Sequence, residues 1–367
     1  MASPSDLPIV LYHYDVSPYA RRLVWYLHLR KIKYSQCIQP RILPRPDLAL
    51  LGVSYRRIPI LSIGRDVYLD TRLILQKLEA LYPPSAAHPG LSSPKAEHAA
   101  LEQLLSTRVI EGDLFKRAVE CFPVNAFADP AFLRDRAALY GVDAAKAEAE
   151  AAGTALPLAP EAMRRRRPEA LAVVGRWVRW LEEGLLADGR GWILDSASDE
   201  SGSGNGGAVP SLADIEAVWV LHWLHRVPGA LPLEVLGADA TPRVWAWIKR
   251  FDSAVKDAAR SAAAAVSSLK GEEAARLIAG SAFADREGEV RRADPLVDAR
   301  GLAKGASVRV WPTDYGSSHK DAGRLVAVDD TEFVIEAEGT FGSVRIHAPR
   351  EGFTIARDGG SSVASKI

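Results

Sequence analysis

The 367-residue sequence is poor in cysteine, with only Cys37 and Cys121. Two thiols cannot build a disulfide framework or a cysteine-rich zinc module. Net charge is also missing: 46 Lys and Arg balance 46 Asp and Glu. A neutral total lacks the basic surface that bulk nucleic-acid binding needs. No apolar run approaches the roughly 20 residues that span a bilayer, so no membrane partner is expected. Residues 1–8 show no basic segment leading into an apolar stretch. No signal peptide is therefore expected, and a reducing cytoplasm is the expected compartment. The C-terminal stretch also lacks metal-ligand spacing: its His319 and His347 read as isolated, and no metal is expected.

What is present is ordinary globular composition, 48% hydrophobic and 25% charged, in a chain long enough for two or three domains. The neutral total hides an asymmetry. Residues 1–84 carry a net +6, residues 85–300 a net −5 and residues 301–367 a net −1. A cationic first third without a long basic stripe suits a small anionic ligand better than a polymer.

Along residues 1–84 strand and helix signals alternate. Ile9 to Tyr14 is a short apolar, β-rich run. Ser17-Pro18 has the form of a helix start, Ser at the cap and Pro at the first helical position, with Ala20, Leu23, Val24 and Leu27 following at helical spacing. Tyr34 to Ile38, Ile58 to Ile63 and Val67 to Leu69 read as strands, and a helix begins near Asp70-Thr71. The expected order is β-α-β-loop-β-β-α. Helical periodicity then marks 97–121, 168–188, the helix opened by Ser211-Leu-Ala-Asp214, and 242–268. Residues 123–167 read as an insertion. It contains an Ala/Glu-rich stretch at 143–153 and the run Arg164 to Arg167, read as a solvated helix start. Residues 201–207 read as a flexible Gly/Ser loop. After about 290 the pattern switches to period two, in five short runs between 307 and 356. That predicts a small antiparallel sheet or barrel.

Three motifs of the first third resemble the glutathione transferase superfamily, in that family's order. Ser17-Pro18-Tyr19-Ala20-Arg21-Arg22 is similar to the serine- and cysteine-led motifs of its tau and omega classes. Arg57-Ile58-Pro59-Ile60-Leu61 is similar to its Val-Pro-x-Leu, and Leu69-Asp70-Thr71-Arg72-Leu73-Ile74 to its Glu/Asp-Ser-x-x-Ile. Ser211 to Ile215 and Pro242-x-x-x-Ala246-Trp247 resemble segments of its helical half. The extra C-terminal strands are similar to those of fungal transferase-like proteins. The resemblance implies a multi-domain protein: a thioredoxin-like α/β domain (1–84), an all-helical domain (85–290) and a small β module (301–360). It also implies a homodimer, with glutathione as co-substrate.

By that resemblance each motif has a role. Ser17, at a helix N-terminus, is the candidate donor to the glutathione thiolate, since helix amides and dipole favour the same anion. Tyr14 is the rival hydroxyl. A serine cannot form a mixed disulfide, so thiol exchange is disfavoured, and Cys37 and Cys121 read as inert core thiols. Pro59 should be cis, with Ile58 pairing its main chain to the cysteinyl backbone. Asp70 should take the γ-glutamyl ammonium, and Thr71, with the helix N-terminus, its carboxylate. Arg57 is a candidate for the glycyl carboxylate. Tyr19, Trp219, His222 and Trp223 are candidates to wall an acceptor pocket, with core packing the plainer reading of the last three. The implied activity is attack of the glutathione thiolate on a small electrophile, giving a conjugate or an isomer. The alternative is a transferase fold kept as a non-catalytic binding or scaffold protein. The C-terminal module reads as a packing or partner-binding unit that could brace the helical domain.

Overall fold

The computed structural model describes residues 6–124, 126–127, 129–143, 156–194, 209–263 and 266–358. The flexible loop expected at 201–207, and nearly all of the Ala/Glu-rich stretch at 143–153, lie outside them.

The first third follows the expected order: β1 (Ile9–His13), α1 (Pro18–Leu29), β2 (Tyr34–Ile38), a short α2 (Pro46–Ala49), β3 (Ile60–Ile63), β4 (Asp66–Leu69) and α3 (Thr71–Leu81). β1 pairs parallel with β2 and antiparallel with β3, and β3 pairs antiparallel with β4. Every residue of β1 is buried, which is why it reads as a continuous apolar run and not an alternating one. Ile9 and Leu11 pack with α1, α3 and the helical domain, while Val10 and Tyr12 face a second core shared with the C-terminal strands.

The helical part comprises α4 (Ala96–Ile110), α5 (Leu114–Glu120), α6 (Pro130–Leu139), α7 (Pro160–Trp180) with a π turn at Leu181–Leu185, α8 (Leu212–His225), a short α9 (Leu233–Leu236) and α10 (Pro242–Ala262). The run at 97–121 is two helices, because Asp113 turns the backbone with φ 64°. The expected start at Pro168 is wrong by two turns. The helix begins at Pro160, the N-terminal position where a proline loses nothing, and runs through Pro168. Its arginine run is mixed: Arg164 is exposed, but Arg167 donates to the Cys121 carbonyl at 3.1 Å. α8 has the expected capping box. Asp214 accepts the Ser211 backbone N–H at 2.8 Å, and also the Ile193 N–H and the Trp247 indole. The two helical motifs of the sequence thus meet in one buried hydrogen-bond set. Burial pushes the Asp214 carboxyl up to about 6, against those hydrogen bonds.

The run at 242–268 ends as a helix at Ala262. Val266–Ser268 instead forms β5, parallel to β2, followed by α11 (Gly271–Ala279) on α2 and a short α12 (Pro295–Ala299). The expected C-terminal strands are β6 (Ser307–Pro312), β7 (Asp321–Val328), β8 (Glu332–Glu338), β9 (Ser343–Pro349) and β10 (Phe353–Arg357), antiparallel in the order β10-β6-β7-β8-β9. Flat, five strands would separate β9 from β10 by about 19 Å. Residues 349 and 353 are joined by a chain that spans at most about 14 Å. The sheet must therefore curl toward a barrel. The barrel does not stand apart. β9 pairs parallel with β4, Asp66 opposite Arg345 and Tyr68 opposite His347, so all ten strands form one sheet. Both edges of the N-terminal sheet are covered by later chain, β5 on one side and β9 on the other. The module braces the N-terminal domain at this seam. It also meets residues 274–290, where Arg345 of β9 pairs with Glu287 and Ala274 and Ile278 share its core, and meets α6 through the loop at 315–316.

A buried charge network closes the seam. Nε2 of His347 lies 2.9 Å from Asp66 Oδ1, and Nδ1 lies 2.9 Å from Glu332 Oε2. The Lys77 ammonium donates to Glu332 and Asp285, at 2.6 and 2.5 Å. His347 is therefore not isolated, as the sequence suggested. It joins Asp285 and Glu332 in a cluster whose ligand-type atoms lie within 4.8 Å of one another, but Lys77 already occupies both carboxylates. Burial alone would push the His347 imidazole down. Its bonds to Asp66 and Glu332, and their charges, instead raise it to about 9. The folded state thus holds this proton more tightly than the unfolded chain. The resulting stability is present below pH about 6.5 and is lost as pH rises through about 9. Thermal unfolding from pH 6.5 to 9.5 should show a falling Tm in the wild type. His347→Gln should start lower and fall less across that window; parallel curves would contradict the assignment.

Candidate functional site

Strand register decides which loops meet. Tyr12 lies opposite Ile60 and Ile60 opposite Leu69, so the end of β1, the start of β3 and the end of β4 share one edge of the sheet. Ser17, Ile58-Pro59 and Asp70-Thr71 all follow or precede those positions by a few residues. The register thereby brings together the three motifs that the sequence singled out.

Ser17 caps α1. It is 2% exposed and its Oγ accepts the Ala20 N–H at 3.2 Å. A hydroxyl that accepts through a lone pair still has its proton to give. Tyr14 is placed differently. Its hydroxyl lies 3.5 Å from Arg136 Nη2 and its ring 6.0 Å from the Arg45 guanidinium, toward the loop after β2 and away from the α1 cap. The Ile58–Pro59 bond is cis, as is Leu43–Pro44, which the sequence reading did not anticipate. Among the described residues neither the N–H nor the C=O of Ile58 is hydrogen-bonded to another protein group.

Asp70 caps α3 with φ 66°, a conformation that non-glycine residues rarely adopt and that clusters at functional turns. Its carboxylate accepts the Arg72 N–H at 3.0 Å and takes the Arg72 guanidinium in bidentate fashion. Burial would raise the Asp70 carboxyl, but the Arg72 pair outweighs it and holds the group below its ordinary value. Thr71, 3% exposed, accepts from Arg22 Nη1 at 2.7 Å and, like Ser17, retains its own proton to donate.

Arg22, the last residue of the first motif, is fully buried. Besides Thr71 it reaches Ser106 of α4 and forms an ion pair with Glu216 of α8. One guanidinium therefore ties α1 and α3 to α4 and α8 of the second domain. Burial raises the Glu216 carboxyl, and Arg22 opposes that rise. The sequence offered Arg22 as part of a motif but gave no sign of its partners, which lie 49, 84 and 194 residues away.

The aromatic candidates separate. Tyr19 packs on Trp219 at 4.8 Å and on Phe115 at 4.7 Å, and Phe115 stacks on Trp223 at 5.7 Å. Phe122 continues the row against Trp223. The Trp219 indole N–H is buried and has no partner among the described residues. His222 does not belong to this wall. One residue of helix is a 100° turn, so His222 faces Trp25 and Phe251 while Trp223 faces Phe115. It bonds Asp252 at 3.0 Å, and burial pushes it down to about 4 despite that carboxylate. Phe115 and Phe122, which the sequence reading missed, are revealed only by packing. Cys37 and Cys121 are buried free thiols, each pushed by burial up to about 12.

Arg57 is not open toward the site in the way the resemblance implied. It donates to the Tyr315 carbonyl and pairs with Asp314, both from the loop between β6 and β7. Helix α6, from the insertion, reaches the same region: Asp135 pairs with Arg56 at 3.1 Å and accepts the Leu43 N–H.

Residues 11–86 match the glutathione S-transferase N-terminal domain family. The chain carries a glutathione S-transferase N-terminal domain. Over those residues the match agrees with the superfamily whose motifs the sequence resembles, and a thioredoxin-like domain, a helical middle and C-terminal strands in a sheet are present. Residues 117–260 match a second family, described as a domain of unknown function, DUF7962. A GST-like protein from Pseudomonas syringae shares the fold over 96% of this chain and 99% of its own, with 21% identity and a TM-score of 0.61. The β-etherase LigF of a Sphingobium strain aligns over 70% of this chain and all of its own, with 18% identity and a TM-score of 0.47. Rice GST1 (OsGSTU1), whose structure was solved in complex with glutathione, aligns over 68% of this chain and 90% of its own, with 19% identity and a TM-score of 0.44. No curated protein sequence matches the chain. No described helix is long and apolar enough to cross a membrane.

Removing one partner of a buried ion pair leaves the other charge uncompensated, at a cost of about 3–5 kcal/mol. Arg22→Met should lose that much in denaturant unfolding. Arg22→Met combined with Glu216→Leu should recover most of it, because no buried carboxylate is then left unpaired.

Proposed function

We propose that the protein is a glutathione-dependent enzyme that adds the glutathione thiolate to a small electrophile, ending in a conjugate or, if the thiolate leaves again, an isomer. The observation that carries this reading is the convergence of Ser17, Ile58 and Asp70-Thr71 at one sheet edge, each with capacity left for a ligand. In this reading the Ser17 hydroxyl donates to the thiolate beside the α1 N-terminus. The Ile58 N–H and C=O pair with the cysteinyl backbone. The Asp70 carboxylate takes the γ-glutamyl ammonium on lone pairs that Arg72 leaves free, and the Thr71 hydroxyl takes its carboxylate. Rate enhancement comes from a stabilised thiolate held next to the acceptor, with no general base needed. Tyr19, Trp219 and Trp223 supply an apolar acceptor wall, with the Trp219 N–H as its polar element. Tyr14, beside Arg136, keeps a packing role.

The working assembly in this proposal is a cytoplasmic homodimer; a monomer by light scattering at micromolar concentration would refute the dimer. Glutathione binding is tested by calorimetry, and turnover with a generic electrophile such as chlorodinitrobenzene. Ser17→Ala should lower kcat/KM on the order of 10²-fold, as loss of one donor to a reacting anion does, while glutathione affinity changes less than about threefold. An unchanged rate would move the donor role to Tyr14. Binding without turnover on any electrophile would favour the scaffold reading.

A further inference from the structure

The barrel reaches the thiol site through two loops, those between β6 and β7 and between β9 and β10. Thr313 N–H donates to the Gly352 carbonyl at 2.9 Å, so the two loops are tied to each other. The first loop, with Asp321 that opens β7, grips the segment just before Ile58. Asp321, 1% exposed, accepts the Ser54 N–H at 2.6 Å and the Tyr55 N–H at 3.1 Å. Asp314 and the Tyr315 carbonyl hold Arg57. Gly316, with φ +78°, lies against Arg56, where an added Cβ would sit 3.0 Å from its Cγ. The second loop grips the turn after β4. Glu351 lies 3.9 Å from the Arg72 guanidinium that holds Asp70, and the Phe353 ring lies 5.6 Å from that of Tyr55. The insertion closes the far side. Gly316 N–H donates to the Leu139 carbonyl at 2.9 Å, and Tyr140 meets Tyr315 edge to face at 4.7 Å.

We infer that the barrel is a working part of the thiol site, with Asp321 and Asp314 as positioning residues that fix the backbone of 54–58 so that Ile58 can pair with the thiol substrate. A module that only packed against the domain would need no buried carboxylate spent on two backbone amides of this loop. Burial makes an ionised Asp321 costly and pushes it up to about 7, so its two amide bonds are the compensation for placing it there. Positioning of this kind acts on binding, because loop disorder must be removed each time the ligand docks. The inference rests on the glutathione reading for the identity of the ligand, and on the hydrogen bonds alone for the positioning.

The test compares the full-length wild type with Asp321→Leu, which keeps the branched shape of the side chain and removes the oxygen that accepts both amides. The second variant is Asp314→Asn, at a half-exposed side chain whose substitution leaves the core packing intact. Hydrogen exchange should quicken at the amides of 54–58 in both variants, while the amides of α8 and α10 keep wild-type rates. The glutathione Kd and KM should rise about tenfold for Asp321→Leu and about threefold for Asp314→Asn, with kcat at saturating glutathione within about threefold of wild type. Unchanged exchange at 54–58 in both variants would overturn the inference. So would an unchanged glutathione KM, and a lowered KM would show instead that the barrel obstructs the site. Absence of glutathione binding in the wild type would sink the glutathione reading, and the exchange comparison would then judge the positioning by itself.

Discussion

The pairing of β9 with β4 is the constraint on which the rest depends. An edge strand presents unpaired backbone groups that must be covered, paired or solvated. Here the chain pairs that edge with its own barrel and seals the seam with a protonated histidine between two carboxylates. Once β9 is fixed, the three-residue link to β10 curls the sheet. That curl carries the loops at 313–321 and 350–352 to the edge where Ser17, Ile58 and Thr71 lie. The seam and the site are thus coupled mechanically, although His347 and Ser17 share no contact.

A second constraint is the buried Arg22. Guanidinium in a dry interior is costly unless its donors are used. Two of its nitrogens find three partners on three helices, which fixes how the helical domain sits on the thioredoxin-like one. The same residue holds the Thr71 hydroxyl in place as an acceptor, leaving its proton free. Domain docking and site geometry therefore share an atom set. The aromatic row from Tyr19 through Phe115 and Trp219 to Trp223 and Phe122 fills the remaining space between the domains.

Much of this was legible from local pattern. Ser17-Pro18 and Ser211-Leu-Ala-Asp214 announced helix starts because capping chemistry needs particular residues at fixed short spacings. The five C-terminal strands showed as period-two runs because alternate residues of each, such as Val344, Ile346 and Ala348, enter one apolar core; on β8 and β9 the other face is buried as well. Errors came where a signal was degenerate. Helical periodicity marks 168–188 because the arginine run before Pro168 shows no apolar stripe, but the helix starts two turns earlier at Pro160. Residues 266–268 continued an alanine-rich helical composition but were claimed by the free edge of β2. His222 shared a one-turn stripe with two tryptophans, but a 100° step from Trp223 turns it toward Trp25 and Phe251.

By itself the sequence determined the element types, the three site motifs in their order, and the charge asymmetry between domains. These depend on neighbours within a few residues. Only the tertiary structure decided that Arg57 faces the barrel, that Arg22 unites four helices, and that His347 is the centre of a network. Each of those outcomes pairs residues 49 to 281 positions apart. No periodicity records such a pairing, because it is set by sheet register and by the need to satisfy buried charge.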